Sequence, residues 1–142
     1  MASWAEYFMD MASHVSSRSK DPATKVGCVI VTEDRAILST GYNGIPRRVK
    51  DLAGRMERPA KYLWTAHAEE NAIASAARVG AKLSGAIAYV THPPCARCAR
   101  GLIQAGIVQV VVGPGKTNMP EEEFEVARQM FAEADVTVFD RA

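Results

Sequence analysis

The chain has 142 residues, 48% of them hydrophobic and 23% charged, the composition of an ordinary soluble globular protein and a length that suits one domain spanning residues 1–142. A formal net charge of +1 supplies no strong uniform field, which argues against nucleic acid or an anionic membrane surface as a partner. The start, "MASWAEYFMD", lacks the basic residues and long apolar run of a signal peptide, and no stretch approaches the ~18 apolar residues of a membrane span, so a cytoplasmic setting is expected.

The first element is a helix from about Ser3 to Arg18, on which Trp4, Tyr7, Phe8, Met11 and Val15 recur at three- and four-residue intervals as one apolar stripe. Pro22 breaks it, and "KVGCVIVTEDRAILSTGYNG" reads as two strands joined by a tight turn at Glu33 to Arg35. "IPRRVKDLAGRMERPAKYLW" is the least regular stretch, a surface loop with room for a short helix. A helix from about Ala66 to Val79 then stops at Gly80. "GAIAYVT" is a strand, "PPCARCARGLIQAG" a helix entered through proline, "VQVVVG" a strand, "PEEEFEVARQMFAEA" a helix with acids in its first turn, and "DVTVFD" a closing strand. Strands alternating with single helices require parallel crossovers, so the order predicts a three-layer α/β/α sandwich around a five-stranded mixed sheet.

Chemistry concentrates in two of these helix starts. Cys95 and Cys98, in "PCARC", place two sulfurs at a helix N-terminus, where the dipole favours thiolates. Alone they suit either a redox couple or half a zinc site, and the pattern that surrounds a thioredoxin-like couple is missing. His67 opens the preceding helix. A β-α-β-α arrangement brings both helix starts to one sheet edge, giving a His, Cys, Cys set for tetrahedral zinc with a fourth position open. Glu69, two residues on, can face that position and carry a proton. Taken singly, His67 reads more readily as a helix-start polar residue and Glu69 as a solvated one. A closed structural site with Glu69 as fourth ligand is a further alternative, and Glu70 reads as solvated. Cys28 reads as a small buried hydrophobe, and His14 and His92 have no evident partner, although His92 stands close enough to Cys95 to line a pocket.

His-x-Glu, then 24 residues, then Pro-Cys-x-x-Cys is the pattern of zinc-dependent deaminases. With "RSKDPATKVGCVIV", "GYNGIP", "HAEENAI" and "PCARCARGLIQAGI", which cover most of the chain from Arg18 to Val112, the sequence resembles the cytidine and deoxycytidylate deaminase superfamily, and within it the deoxycytidylate (dCMP) branch. The resemblance implies a cytidine deaminase-like fold and hydrolytic deamination of dCMP to dUMP and ammonia, with zinc on His67, Cys95 and Cys98 and Glu69 moving the proton. It also implies that the backbone N–H of Ala68 binds the pyrimidine O2 and that Asn43 reaches the sugar hydroxyl.

For the 5′-phosphate the candidates are Arg18, Lys20, Lys25, Arg47 and Arg48, with Arg18 and Lys25 preferred. Larger relatives carry a second zinc site between "GYNG" and "HAE". Residues Ile45 to Ala66 contain neither Cys nor His, so one zinc per chain is expected. The family resemblance further names dCTP and dTTP as candidate effectors and a homo-oligomer, commonly a hexamer, as the assembly. Two rival readings stand beside this one. The first is a deaminase of another base: cytosine or cytidine, guanine, a riboflavin precursor or tRNA adenosine. The second is a non-catalytic zinc-stabilised scaffold, for which Glu69 would have no use.

Overall fold

In the computed structural model, which describes residues 1–141, the first helix, α1 (Trp4–Ser16), is capped by Ser3, whose hydroxyl accepts from the Glu6 N–H. Strands β1 (Gly27–Val31) and β2 (Ile37–Tyr42) form the expected hairpin, closed by hydrogen bonds between Thr32 and Ala36 and between Arg35 and Thr32. The irregular stretch that follows holds a 3₁₀ turn (Ala53–Met56) and a short helix, α2 (Lys61–Trp64). Then come α3 (Ala68–Val79), β3 (Ile87–Val90), α4 (Ala96–Gln104), β4 (Gln109–Val112), α5 (Glu121–Glu133) and β5 (Thr137–Asp140).

The sheet has the order β2-β1-β3-β4-β5. Its first three strands pair antiparallel and its last three parallel, which makes it the five-stranded mixed sheet that the sequence predicts. Central β1 is buried along its whole length, as an interior strand covered on both faces must be, and its residues alternate between the two cores. Cys28 and Ile30 join Ala88, Val90, Val110 and Val112 beneath α3, α4 and α5, while Val29 and Val31 join Tyr89 and Val111 beneath α1. The three layers are therefore unequal, with one helix on one face and three on the other.

The α1 stripe differs from its sequence reading. Phe8 and Ala12 are buried, and Met11 and Val15 pack beside them, but Trp4 and Tyr7 stay exposed. Tyr7 precedes Phe8 by one residue and so points about 100° round the helix. Trp4 stacks on Phe8, with ring centroids 6.0 Å apart, instead of entering the core.

Alanines decide how closely α3 lies on the sheet. Ala68, Ala72 and Ala76 recur every four residues on its buried face. Opposite them on β2 is Gly41, where a Cβ would collide with the Ala68 carbonyl and the Ala72 backbone. This contact of small residues seats the α3 N-terminus, and with it His67, against the sheet. No helix among the described residues is long and apolar enough to cross a membrane.

Candidate active site

His67 and Cys95 occupy equivalent places, each the N-cap residue of its helix, α3 and α4 respectively. Because β3 and β4 run parallel, the helices that precede and follow β3 present their N-termini at the same sheet edge. Cys98 lies one turn into α4. The result is a cluster in which His67 Nδ1 stands 3.2 Å from Cys98 Sγ and 3.5 Å from Cys95 Sγ. All three ligand atoms fall within 4.8 Å of one another, and among the described residues no other cluster of three such groups occurs. Zinc–nitrogen and zinc–sulfur bonds at a tetrahedral centre put N and S about 3.6 Å apart, so the spacing and the N, S, S donor set both fit that ion.

Electrostatics in the cluster prepare one thiolate. Hydrogen bonding from Cys98 pulls Cys95 down to about 4, and the same bond pushes Cys98 up. His67 is raised by its bond to Cys95, against the opposing effect of burial. To hold zinc, Cys95 and Cys98 would be thiolates and His67 a neutral imidazole.

Glu69 is only 4% exposed, and burial lifts its carboxyl from the ordinary carboxylate range to about 7. A carboxyl at that level exchanges protons in both directions near neutrality, as a general acid/base must. Cys28, wholly buried in β1, stays a thiol, raised first by burial and then by the Glu69 charge.

His67 and Cys95 of the cluster line a cavity of about 630 Å³, within the roughly 300–1,000 Å³ span of small-ligand sites. Ala68 lines it from the first turn of α3, where backbone N–H groups have no intrahelical partner. Asn43 lines it too, but its amide already works on the protein: Oδ1 accepts from Val26 N–H at 2.8 Å and Nδ2 donates to the Thr24 carbonyl at 2.9 Å. One N–H and one lone pair of that amide remain for a ligand.

Arg18 and Lys25 do not line the cavity. Lys25 turns its ammonium back onto the Ser19 carbonyl, and Arg18 lies exposed just beyond the end of α1. The cations that line it are Arg58, Lys61, Arg97 and Arg100. Lys61 is committed to Asp21 at 2.9 Å and Arg97 to Glu70 at 2.9 Å, whereas Arg58 and Arg100 have no carboxylate partner among the described residues.

Glu70 is more than a solvated charge. It accepts from the His67 N–H at 2.8 Å and from Arg97 of α4, so it closes the α3 N-terminus and ties it to the helix that carries the cysteines. The signal was present in "HAEE", since Glu70 stands three residues after the N-cap. Glu123 of α5 does the same for α4 by accepting from Ala96 N–H at 3.1 Å, and Asp21 with Lys61 forms a buried ion pair between loop and α2. Neither pairing leaves a local pattern in the sequence.

Residues 2–114 match the family model of the cytidine and deoxycytidylate deaminase zinc-binding region. The chain is 45% identical over 142 residues to a protein of Aliivibrio fischeri described as an uncharacterized deaminase in the luxG 3′ region, an alignment covering 97% of this chain and 93% of that one. It is 39% identical over 140 residues to the deoxycytidylate deaminase of Homo sapiens, covering 94% of this chain and 77% of that one. Among solved structures, the dCMP deaminase of cyanophage S-TIM5 in complex with dCMP and dUMP superposes with a TM-score of 0.76 at 26% identity, over 95% of this chain and 94% of that one.

Proposed function

The chain belongs to the cytidine and deoxycytidylate deaminase family, and from that premise we propose that it hydrolyses dCMP to dUMP and ammonia. The observation that carries the reading is the buried Glu69 beside the His67, Cys95 and Cys98 cluster, lining a cavity sized for a small ligand. His67, Cys95 and Cys98 would hold the zinc, which when bound supplies a Lewis acid that brings water toward ionisation at neutral pH. Glu69 moves two protons in turn, the first from the attacking water to the pyrimidine N3 and the second from the oxygen added at C4 to the departing amine, so that each turnover consumes one water and leaves the carboxylate as it began. Ala68 N–H orients the base through O2, and Asn43 supplies its remaining N–H or lone pair to the sugar hydroxyl.

The phosphate assignment moves from Arg18 and Lys25 to Arg58 and Arg100, because these two line the cavity and carry uncompensated charge. A charge-assisted hydrogen bond contributes about 1.5–3 kcal/mol, so Arg100→Ala should raise KM for dCMP by roughly 10- to 100-fold while sparing deoxycytidine. Equal losses on both substrates would sink that assignment. One domain with one zinc per chain and a cytoplasmic setting complete the proposal from the sequence, and dCTP and dTTP as candidate effectors and a homo-oligomer of hexameric size complete it by resemblance.

Ammonia release from a panel of dCMP, deoxycytidine, cytosine, guanine and tRNA tests the function, with zinc content measured alongside. The expected result is turnover of dCMP far above the others. In Glu69→Gln, with zinc retained, that turnover should fall on the order of 10²- to 10⁴-fold. Zinc binding with no ammonia from any substrate would favour the scaffold reading instead.

A further inference from the structure

Three residues before Cys95, the β3–α4 loop carries a histidine that the reaction as described does not use. His92 lines the cavity, half-buried, and its Nδ1 lies 2.7 Å from Thr91 Oγ1. Thr91 is itself fixed: its N–H donates to the Gly27 carbonyl at 3.0 Å, and its hydroxyl oxygen accepts from the Gly27 N–H at 3.0 Å. A hydroxyl that already accepts from a backbone N–H satisfies its own buried proton only by donating, and His92 Nδ1 is the acceptor in reach. Nδ1 is then unprotonated, and the neutral ring carries its hydrogen on Nε2. Burial lowers the pKa of His92, in keeping with a neutral ring.

The ring is also held from behind. The loop after β4 folds back onto β3, where Gly115 N–H donates to the Thr91 carbonyl at 2.9 Å. The Gly115 backbone then packs so tightly on the imidazole that a Cβ there would lie 2.5 Å from Cδ2, Cε1 and Nε2. Two residues further along the same loop, Thr117 lines the cavity, and its buried Oγ1 has no protein partner among the described residues. His92 Nε2 likewise has no protein partner among them. One stretch of cavity wall therefore presents a donor of fixed tautomer that a ligand would complete.

We infer that His92 is a specificity-determining residue whose Nε2–H donates to an acceptor oxygen of the bound nucleotide, with Gly27 and Thr91 setting the tautomer and Gly115 setting the ring position. The inference rests on the nucleotide reading of the cavity above.

Two measurements test it. In ¹⁵N-labelled zinc-loaded protein the His92 ring should show a protonated Nε2 and a bare Nδ1, and the Nε2 signal should move when dUMP is added. In kinetics His92→Leu should raise KM for dCMP by about five- to tenfold. His92→Gln, whose amide nitrogen reaches the Nε2 position, should recover most of that loss, whereas His92→Asn, which is too short, should not. A loss confined to dCMP places the acceptor on the phosphate, and an equal loss on deoxycytidine places it on the nucleoside. A protonated Nδ1, an Nε2 signal indifferent to dUMP, or a His92→Leu enzyme with wild-type KM on both substrates would overturn the inference. If the wild type itself fails to turn over dCMP, the functional proposal has failed, a result separate from these.

Discussion

One part of the cavity lining, the part that bears His67, Glu69 and Cys95 with Cys98 behind them, is made of two helix starts. Another part, bearing Asp21, Thr24, Asn43 and Lys61, is made of loops and the first residue of the short helix α2. They are pinned by hydrogen bonds between residues 17 to 40 positions apart. In the first part the backbone of a helix aims each functional group, and the requirement of the chemistry fixes the residue type. In the second the groups aim one another: Lys61 donates to Asp21 Oδ2, Asp21 Oδ1 accepts from the N–H groups of Ala23 and Thr24, and the Thr24 carbonyl accepts from Asn43. The helix-start region should therefore fail chemically and locally when altered, the loop region by loss of shape and stability.

The largest effect should come from the first part. Cys98 is 1% exposed and supplies one of the three ligand atoms. A Lewis-acid metal contributes several kcal/mol of charge stabilisation, so Cys98→Ala should cost on the order of 10³-fold or more in deamination, with bound zinc lost in parallel. Metal analysis and ammonia release on the same samples check this. A variant that loses activity but keeps full zinc would separate Cys98 from the metal and break the division between the two regions.

The contrast also explains what a reader of the sequence could see. "HAEENAI" and "PCARC" were legible because metal and proton chemistry admit few residue types and because helix starts have local signatures. The sheet was legible because β-α alternation leaves little choice of topology. That Arg18 and Lys25 do not line the cavity could not be read from sequence, because a cation's direction depends on what its flexible stem meets: Lys25 meets the Ser19 carbonyl within its own loop. Arg58 and Arg100 had no feature in sequence to distinguish them from other surface charges. The Asp21–Lys61 pair spans 40 positions and follows no period, so only the folded chain reveals it. Trp4 and Tyr7 obeyed the helical period and still missed the core, since α1 meets the sheet along a narrower arc than the apolar stripe covers.

The loop region is tested by Asp21→Asn. Burial alone would raise the Asp21 carboxyl, but the bond from Lys61 and the two backbone N–H groups outweigh it and hold the carboxyl below 3.8. A carboxylate lowered on folding stabilises the protein fully above its unfolded value and loses that contribution as pH falls through the lowered folded value. Side chains of the pair are 11% and 5% exposed, so removing one charge strands the other in the interior, at a cost of about 3 kcal/mol. Urea denaturation should show the variant much weaker than wild type at about pH 7 and less so at an acid pH well below 3.8, where the wild-type carboxyl takes up a proton as pH falls through its lowered folded value. Zinc content should not change. An equal deficit at both pH values would mean that Asp21 acts through packing and not through its charge.

Glu70→Ala should have the smallest effect, and it probes whether the helix-start region truly depends on local contacts. The Arg97 partner is 47% exposed and Glu70 36%, so that ion pair contributes little. The bond from His67 N–H belongs to the reciprocal capping of α3, and such caps contribute about 1 kcal/mol. Because the same bond orients a zinc ligand from its backbone, its loss should also weaken zinc retention by roughly tenfold, the lower end of what groups supporting a ligand supply. Glu70→Gln keeps an acceptor oxygen for the His67 N–H and gives up only the charge facing Arg97, so it should recover both stability and zinc affinity. If Gln behaves like Ala, the surface ion pair is the stronger contact after all, and helix-to-helix charge, not the capping bond, holds the two helix starts together.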